Sequence, residues 1–166
     1  MIKESGFDMG NSIEERIKEF EESFKKIVEE RQQAVEESVA VFKTLYEGVL
    51  PIIKVIKRNK IIFMHPDIKD VTVHGPIIAK EQNYPSNIYI YDGNFAVRVN
   101  PAKDEIETDS KIFIEKIAHN LDWDFAFKGL YTLNSYLDNV IDYERDTIDK
   151  INDITLGVKL SMERNL

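Results

Sequence analysis

The sequence predicts an α+β fold in which two long amphipathic helices, one N-terminal and one C-terminal, flank a small antiparallel β-sheet of hairpins. Three observations carry that expectation. Apolar residues recur at helical spacing from Ile13 to Val49 and again from Trp123 to Met162. The period drops to two between residues 60 and 100, and Asp92-Gly93 sits between two alternating runs. No Pro/Gly-rich linker divides the chain, so its 166 residues read as one elongated domain: a helix over 12–58, antiparallel strands over 60–100 and helices over 108–162.

The first helix opens on Ser12-Ile13-Glu14-Glu15, the S-x-x-E spacing of a capping box, whose side chains satisfy first-turn amides. Stepping 3.6 residues from Ile13 reaches Ile17, Phe20, Phe24, Ile27, Arg31, Val35, Ser38, Phe42, Leu45 and Val49, and nine of these 11 positions are apolar. The phase holds throughout, so a single helix is expected, ending or kinking at Pro51, which lacks the amide hydrogen. Residues 13–49 would span about 55 Å at 1.5 Å per residue. A compact chain of this size is only about 40 Å across. Such a helix needs a partner along its length, and self-association, most simply as a dimer, is expected.

Between the helices, Lys60–His65 and Val71–His74 read as strands, and Gly75-Pro76 breaks the run before Ile77-Ile78-Ala79. The segment Asn87–Val99 reads as a hairpin closed by a type I′ turn at Asp92-Gly93. That turn sets Ile90 opposite Phe95 and Ile88 opposite Val97. Ile88, Ile90, Phe95, Val97 and Val99 then share the buried face, and Tyr89, Tyr91, Asn94, Ala96 and Arg98 share the other.

A short helix using Ile112, Ile117 and Leu121 is expected after a cap at Thr108 or Asp109. From Trp123 a 3.5-residue step reaches Phe127, Leu130, Asn134, Leu137, Ile141, Glu144, Ile148, Ile151, Thr155, Val158 and Met162, nine of 12 apolar. Gly129 and Gly157 mark places where this helix can be interrupted. Packed antiparallel within one chain, the two long helices would bring Arg31 to Glu144, because each is the charged interruption near the middle of its seam.

Composition narrows the function classes. With 43% hydrophobic and 31% charged residues the chain can build a core, which excludes a disordered or collagen-like protein. It has no cysteine, so disulfides and thiolate chemistry are excluded. No apolar run reaches the ~18 residues of a membrane span, and the first residues lack a signal core, so a cytoplasmic protein that binds no membrane is expected. The net charge is −8, and the basic cluster Lys54, Lys57, Arg58 and Lys60 reads as a solvated helix end. A nucleic-acid partner, which would require a basic stripe, is not expected.

No nucleophile elbow, phosphate-binding loop, dinucleotide fingerprint or zinc-protease motif occurs. The carboxylate pairs Glu14/Glu15, Glu21/Glu22, Glu29/Glu30 and Glu36/Glu37 recur on a polar helix face and read as solvated. His119 with Asp122 or Asp124 is the one metal-like spacing, and two ligands are too few for a site; no metal, cofactor or catalytic residue is expected. His65, His74 and Arg98 are the residues an enzyme or ligand-binding domain would use between sheet and helices. Tyr84, Tyr89, Tyr91 and Arg98, on or near the hairpin face opposite the aliphatic one, are of the types enriched at protein interfaces.

The order of helix, small β-hairpins and returning helix resembles prefoldin-type chaperone subunits in outline, although the helix near 110–121 departs from that pattern and no family residue carries over. The function expected is a non-catalytic protein-interaction module, an oligomeric adaptor, chaperone-like protein or inhibitor. Small acidic chains rich in Ile, Lys and Asn also occur among phage accessory proteins that block a host enzyme.

Overall fold

The computed structural model describes residues 9–83 and 86–164. Helix α1 (Met9–Arg58) is followed by strands β1 (Phe63–Met64), β2 (Val71–Thr72), β3 (Ile77–Lys80), β4 (Ile88–Tyr91), β5 (Phe95–Asn100), β6 (Glu105–Ile106) and β7 (Ile112–Phe113). The chain closes with α2 (Ile114–Ile117), a 3-10 turn (Ala118–Asn120), α3 (Trp123–Tyr131) and α4 (Leu133–Arg164). The class is α+β, as the periodicities require.

Helix α1 is already formed at Met9, so Ser12 lies inside it and does not cap it. It also runs through Pro51 to Arg58. Pro51 is exposed, so the Glu47 carbonyl that lacks an amide partner there can be taken up by water, which removes most of the reason to stop. At the other end, Asp122 caps α3 by accepting the Phe125 amide at 3.1 Å. The break in the C-terminal run falls at Thr132, not at Gly129. Gly129 is buried within α3.

The main sheet orders β3-β4-β5, all antiparallel, with β6 and β7 both pairing along the far edge of β5. β1 and β2 form a separate short pair. In the central hairpin, Tyr91 lies opposite Ala96, Ile90 opposite Val97, Tyr89 opposite Arg98 and Ile88 opposite Val99. The turn is therefore Gly93-Asn94, and positive φ is confined to Gly93 (+111°), so it is not the type I′ pair expected at Asp92-Gly93. The Asp92 side chain makes the difference by accepting the amides of Asn94 (3.0 Å) and Phe95 (2.8 Å). Pairing has slipped by two residues, which leaves every side chain on its expected face.

Both faces of this sheet are covered. Ile77, Ile88, Ile90, Val97 and Val99 form one cluster with Ile68, Phe95 and Phe125 packed against it. The opposite face contributes Ile78, Tyr91 and Ala96 to the larger core, where they meet Phe42, Tyr46, Ile114, Ala126, Leu130, Leu133 and Tyr136 from the four helices. The Thr108–Ser110 stretch is a turn, and α2 starts after Phe113 without a side-chain cap. Thr108 and Asp109 therefore do not cap it.

The core ends abruptly along the two long helices. Val35, Val39, Leu137 and Val140 belong to it or flank it. Every described side chain from Ser12 to Ala34 is exposed, and from Ile141 to Arg164 every one except half-buried Thr147 is exposed. These two arms are about 35 Å long each. Arg31 and Glu144 are both exposed, and no ion pair joins them among the described residues. The helix pairing expected along the whole length is thus not realised, and α1 and α4 meet only inside the head.

Candidate functional site

Four side chains were expected to form a partner surface; of the three described, the structure keeps Tyr89 and Arg98 together and withdraws Tyr91 into the core. Tyr84 lies outside the described residues. Tyr91 is fully buried beneath α1, with its ring edge-on to Phe42 (5.1 Å) and Tyr46 (4.8 Å) and its hydroxyl donating to the Gly93 carbonyl at 2.9 Å. It therefore offers no surface. Burial first, and then nearby carboxylates (Asp92 for both, Glu115 for Tyr91), push the phenols of Tyr46 and Tyr91 up to about 12. A hydrophobic face next to a helix explains the reversal: alternation alone marks two faces without saying that one is wet.

Tyr89 and Arg98 are brought together as a directly facing cross-strand pair. The Arg98 Nε donates to the Tyr89 hydroxyl oxygen at 3.3 Å and lies 3.3 Å from Glu81 Oε1, while its Nη1 sits 3.0 Å from Glu107 Oε2. The guanidinium stands 5.8 Å from the Tyr89 ring centre. Tyr89 donates its own hydrogen to Glu81 Oε1 at 3.0 Å, and Asn87 donates to Glu81 Oε2 at 3.1 Å. The hydrogen bond to Tyr89, followed by the charges of Glu81 and Glu107, holds the Arg98 pKa above its ordinary value. One cation thus meets two carboxylates, and the Tyr89 hydroxyl and the Arg98 Nε and Nη1 are all engaged. Glu81 and Glu107 were not singled out in the sequence, because they flank strands and no local pattern aims them at Arg98.

The histidines do not assemble a centre. The β1–β2 register places Phe63 opposite Thr72 and Met64 opposite Val71, which keeps His65 and His74 from facing each other. His65, 2% exposed, stacks on Phe125 with ring centres 3.6 Å apart. Its Nδ1 accepts the Asp67 amide at 3.1 Å, so Nε2 carries the hydrogen and donates to the Phe125 carbonyl at 2.9 Å. Burial pushes its pKa down, and the neutral ring serves as a packing wedge. The His74 Nε2 bonds the Asp104 carbonyl at 2.7 Å. His119 is exposed, Asp122 caps α3 and Asp124 pairs with Lys128 at 2.9 Å. Among the described residues no three His, Asp or Glu side chains converge as metal ligands.

Hollows open on the head among the described residues, and two of them bear on the candidate residues. The larger, about 660 Å³, is lined by Ala79, Lys80, Glu81, Gln82, Asn83, Ser86, Asn120, Asp122 and Phe125. Its charged groups are committed: Lys80 to Asp70 at 2.6 Å, Glu81 to Arg98 and Asp122 to the start of α3. The smaller, about 200 Å³, lies beside His65, Tyr136 and Asn139.

Among the described residues, a long run of exposed apolar side chains lies on the two arms. Ile13, Ile17, Phe20, Phe24, Ile27 and Val28 are 48–66% exposed on α1. On α4, Ile141, Tyr143, Ile148, Ile151, Ile154, Leu156, Val158, Leu160 and Met162 are 47–70% exposed. The sequence marked most of these positions as a seam, but as one that its own partner helix would cover. Compared with known protein families, with curated proteins and with solved structures, the chain finds no match. No helix among the described residues is long and apolar enough to cross a membrane.

Proposed function

We propose that this chain is a non-catalytic protein-interaction module: a folded α+β head that carries two helical arms and binds other proteins through them. The observation that supports this is the continuous apolar surface of the arms. A soluble monomer seldom leaves contiguous apolar patches beyond a few hundred Å² uncovered, and larger ones mark sites of protein association. The half-buried Tyr89–Arg98 edge is the smaller candidate, since its polar atoms already bond one another.

The test compares two variants in cross-linking capture from the source cell. Ile148→Ser with Val158→Ser should lose a partner that the wild type captures, while Arg98→Ala keeps it. Retention by the arm variant and loss by Arg98→Ala would return the binding surface to the hairpin. A second reading, ligand binding by the head, draws on the 660 Å³ hollow, whose size suits a small molecule. A ligand panel that raises the melting temperature of wild type but not of Asn120→Trp would favour it.

A further inference from the structure

We infer that the N-terminal arm of α1 is a self-recognition surface that pairs antiparallel with the same arm of a second copy, leaving the α4 arms free for other proteins; this rests on the interaction reading above.

The seam itself carries the argument. Ile13, Ile17, Phe20, Phe24, Ile27 and Arg31 are spaced alternately by four and three residues, the heptad spacing of a helix-pair contact. Its central four read Ile-Phe-Phe-Ile, the same in both directions. A two-fold contact uses one patch twice, so it requires a surface that matches its own reverse. Centred on Glu22, the antiparallel pairing stacks Ile17 on Ile27, Phe20 on Phe24, and their two-fold equivalents. All four are 52–66% exposed, and Phe20 and Phe24 already form a parallel ring platform with centres 5.8 Å apart.

Charge selects the direction. In parallel register Arg31 would meet Arg31 of the second copy inside the seam. Antiparallel, it meets Ile13, and its stem can lie along that side chain while the head reaches water. A two-fold axis normal to the helix pair sets each flank against itself. Arg16 on one flank then meets Glu30 of the second copy, twice per dimer. Residues 12–22 carry five acidic and two basic groups, and 23–34 carry two and three, so the −3 half lies against the +1 half. Glu21 meets its own copy and is the one like-charge contact of the flanks.

The area is sufficient for a dimer. Side chains of this kind bury on the order of 100 Å² each, so six per chain give about 600 Å² a side, near the 800 Å² of a standard interface.

Sedimentation equilibrium of the intact chain from about 1 to 200 μM should show the mass rising from 19.3 kDa towards twice that value. Phe20→Ser with Phe24→Ser should weaken association more than about 100-fold. Arg16→Glu should weaken it, and Arg16→Glu with Glu30→Arg should restore it. The chain lacks cysteine, so single engineered thiols report direction. Mixed Ile13→Cys and Arg31→Cys chains should cross-link to each other and not to themselves. Self-cross-linking of either one would overturn the antiparallel arrangement. A wild-type chain that stays at 19.3 kDa, yet loses its captured partner in the α4 variant, refutes self-pairing while leaving the interaction reading standing. A dimer that captures nothing through α4 does the reverse.

Discussion

Gly129→Ala should destabilise the head although it adds only a methyl group. Gly129 sits where α3 crosses the edge strand β3, and a Cβ built there lies 2.1 Å from the Ile77 carbonyl oxygen and 3.2 Å from His65 Cδ2. Ordinary contact requires about 3.4 Å, so α3 would have to retreat by about 1.3 Å. The obstructing atom is backbone in a paired strand, which gives way less easily than a side-chain tip. Overpacking of this kind costs about 1–3 kcal/mol and sometimes more, because it prises apart Ala126, Leu130 and Phe125 together. Alanine recovers about 1 kcal/mol of helix propensity. Because the overlap exceeds 1 Å and the obstructing atom is backbone, the upper end of about 3 kcal/mol applies, and a net loss of about 2 kcal/mol follows, or a melting temperature lower by about 4–8 °C for a chain of this length. Urea unfolding followed by circular dichroism measures it. The control is Gly157→Ala on the free α4 arm, where nothing lies within 4 Å and the same exchange should strengthen the helix. A Gly129→Ala protein as stable as wild type would refute the close crossing of α3 on β3.

Burial holds the His65 pKa below its ordinary value, so as pH falls the unfolded chain takes up that proton first. Stability should therefore be fully present above about pH 6.5 and decline below it, and His65→Gln should flatten the urea midpoint between pH 7.5 and 5.5. Tyr91→Ala should cost about 3–5 kcal/mol because it empties the centre of the core. Phe20→Ala, on an arm whose described side chains are exposed, should change the head's stability by less than about 0.5 kcal/mol at concentrations where the chain is monomeric. An equal effect of the two would contradict the division into head and arms. Arg98→Ala should cost about 1 kcal/mol, since the half-exposed network loses its cation and leaves Glu81 and Glu107 facing each other, and added salt should shrink that loss.

Much of the fold was legible because it depends on residues close together in sequence. Period 3.6 from Ile13 onwards placed α1, and period two placed Ile88, Ile90, Val97 and Val99 on one face whatever the exact pairing. The turn was misplaced by one residue because an Asp side chain, by bonding two amides, competed with the backbone preference of Asp-Gly. β1 and β2 fall within the runs read as strands at Lys60–His65 and Val71–His74, whereas β6 and β7, two residues each, were too short for alternation to show. The candidate site was legible only in part. Tyr89 and Arg98 were named correctly as a shared face, but Glu81 and Glu107 reach them through the tertiary fold alone.

The sequence by itself determined which side chains share a face, since that follows from the rise and turn of a helix or the pleat of a strand. Only the tertiary structure decided which faces are covered. Phe20 sits on a regular apolar seam and is 66% exposed, whereas Tyr91 shares its hairpin face with Asn94 and Arg98 and is 0% exposed. The difference is that α1 crosses the sheet over Tyr91, whereas among the described residues no element lies against Phe20. Periodicity is local, and burial depends on what distant parts of the chain, or a second molecule, bring alongside.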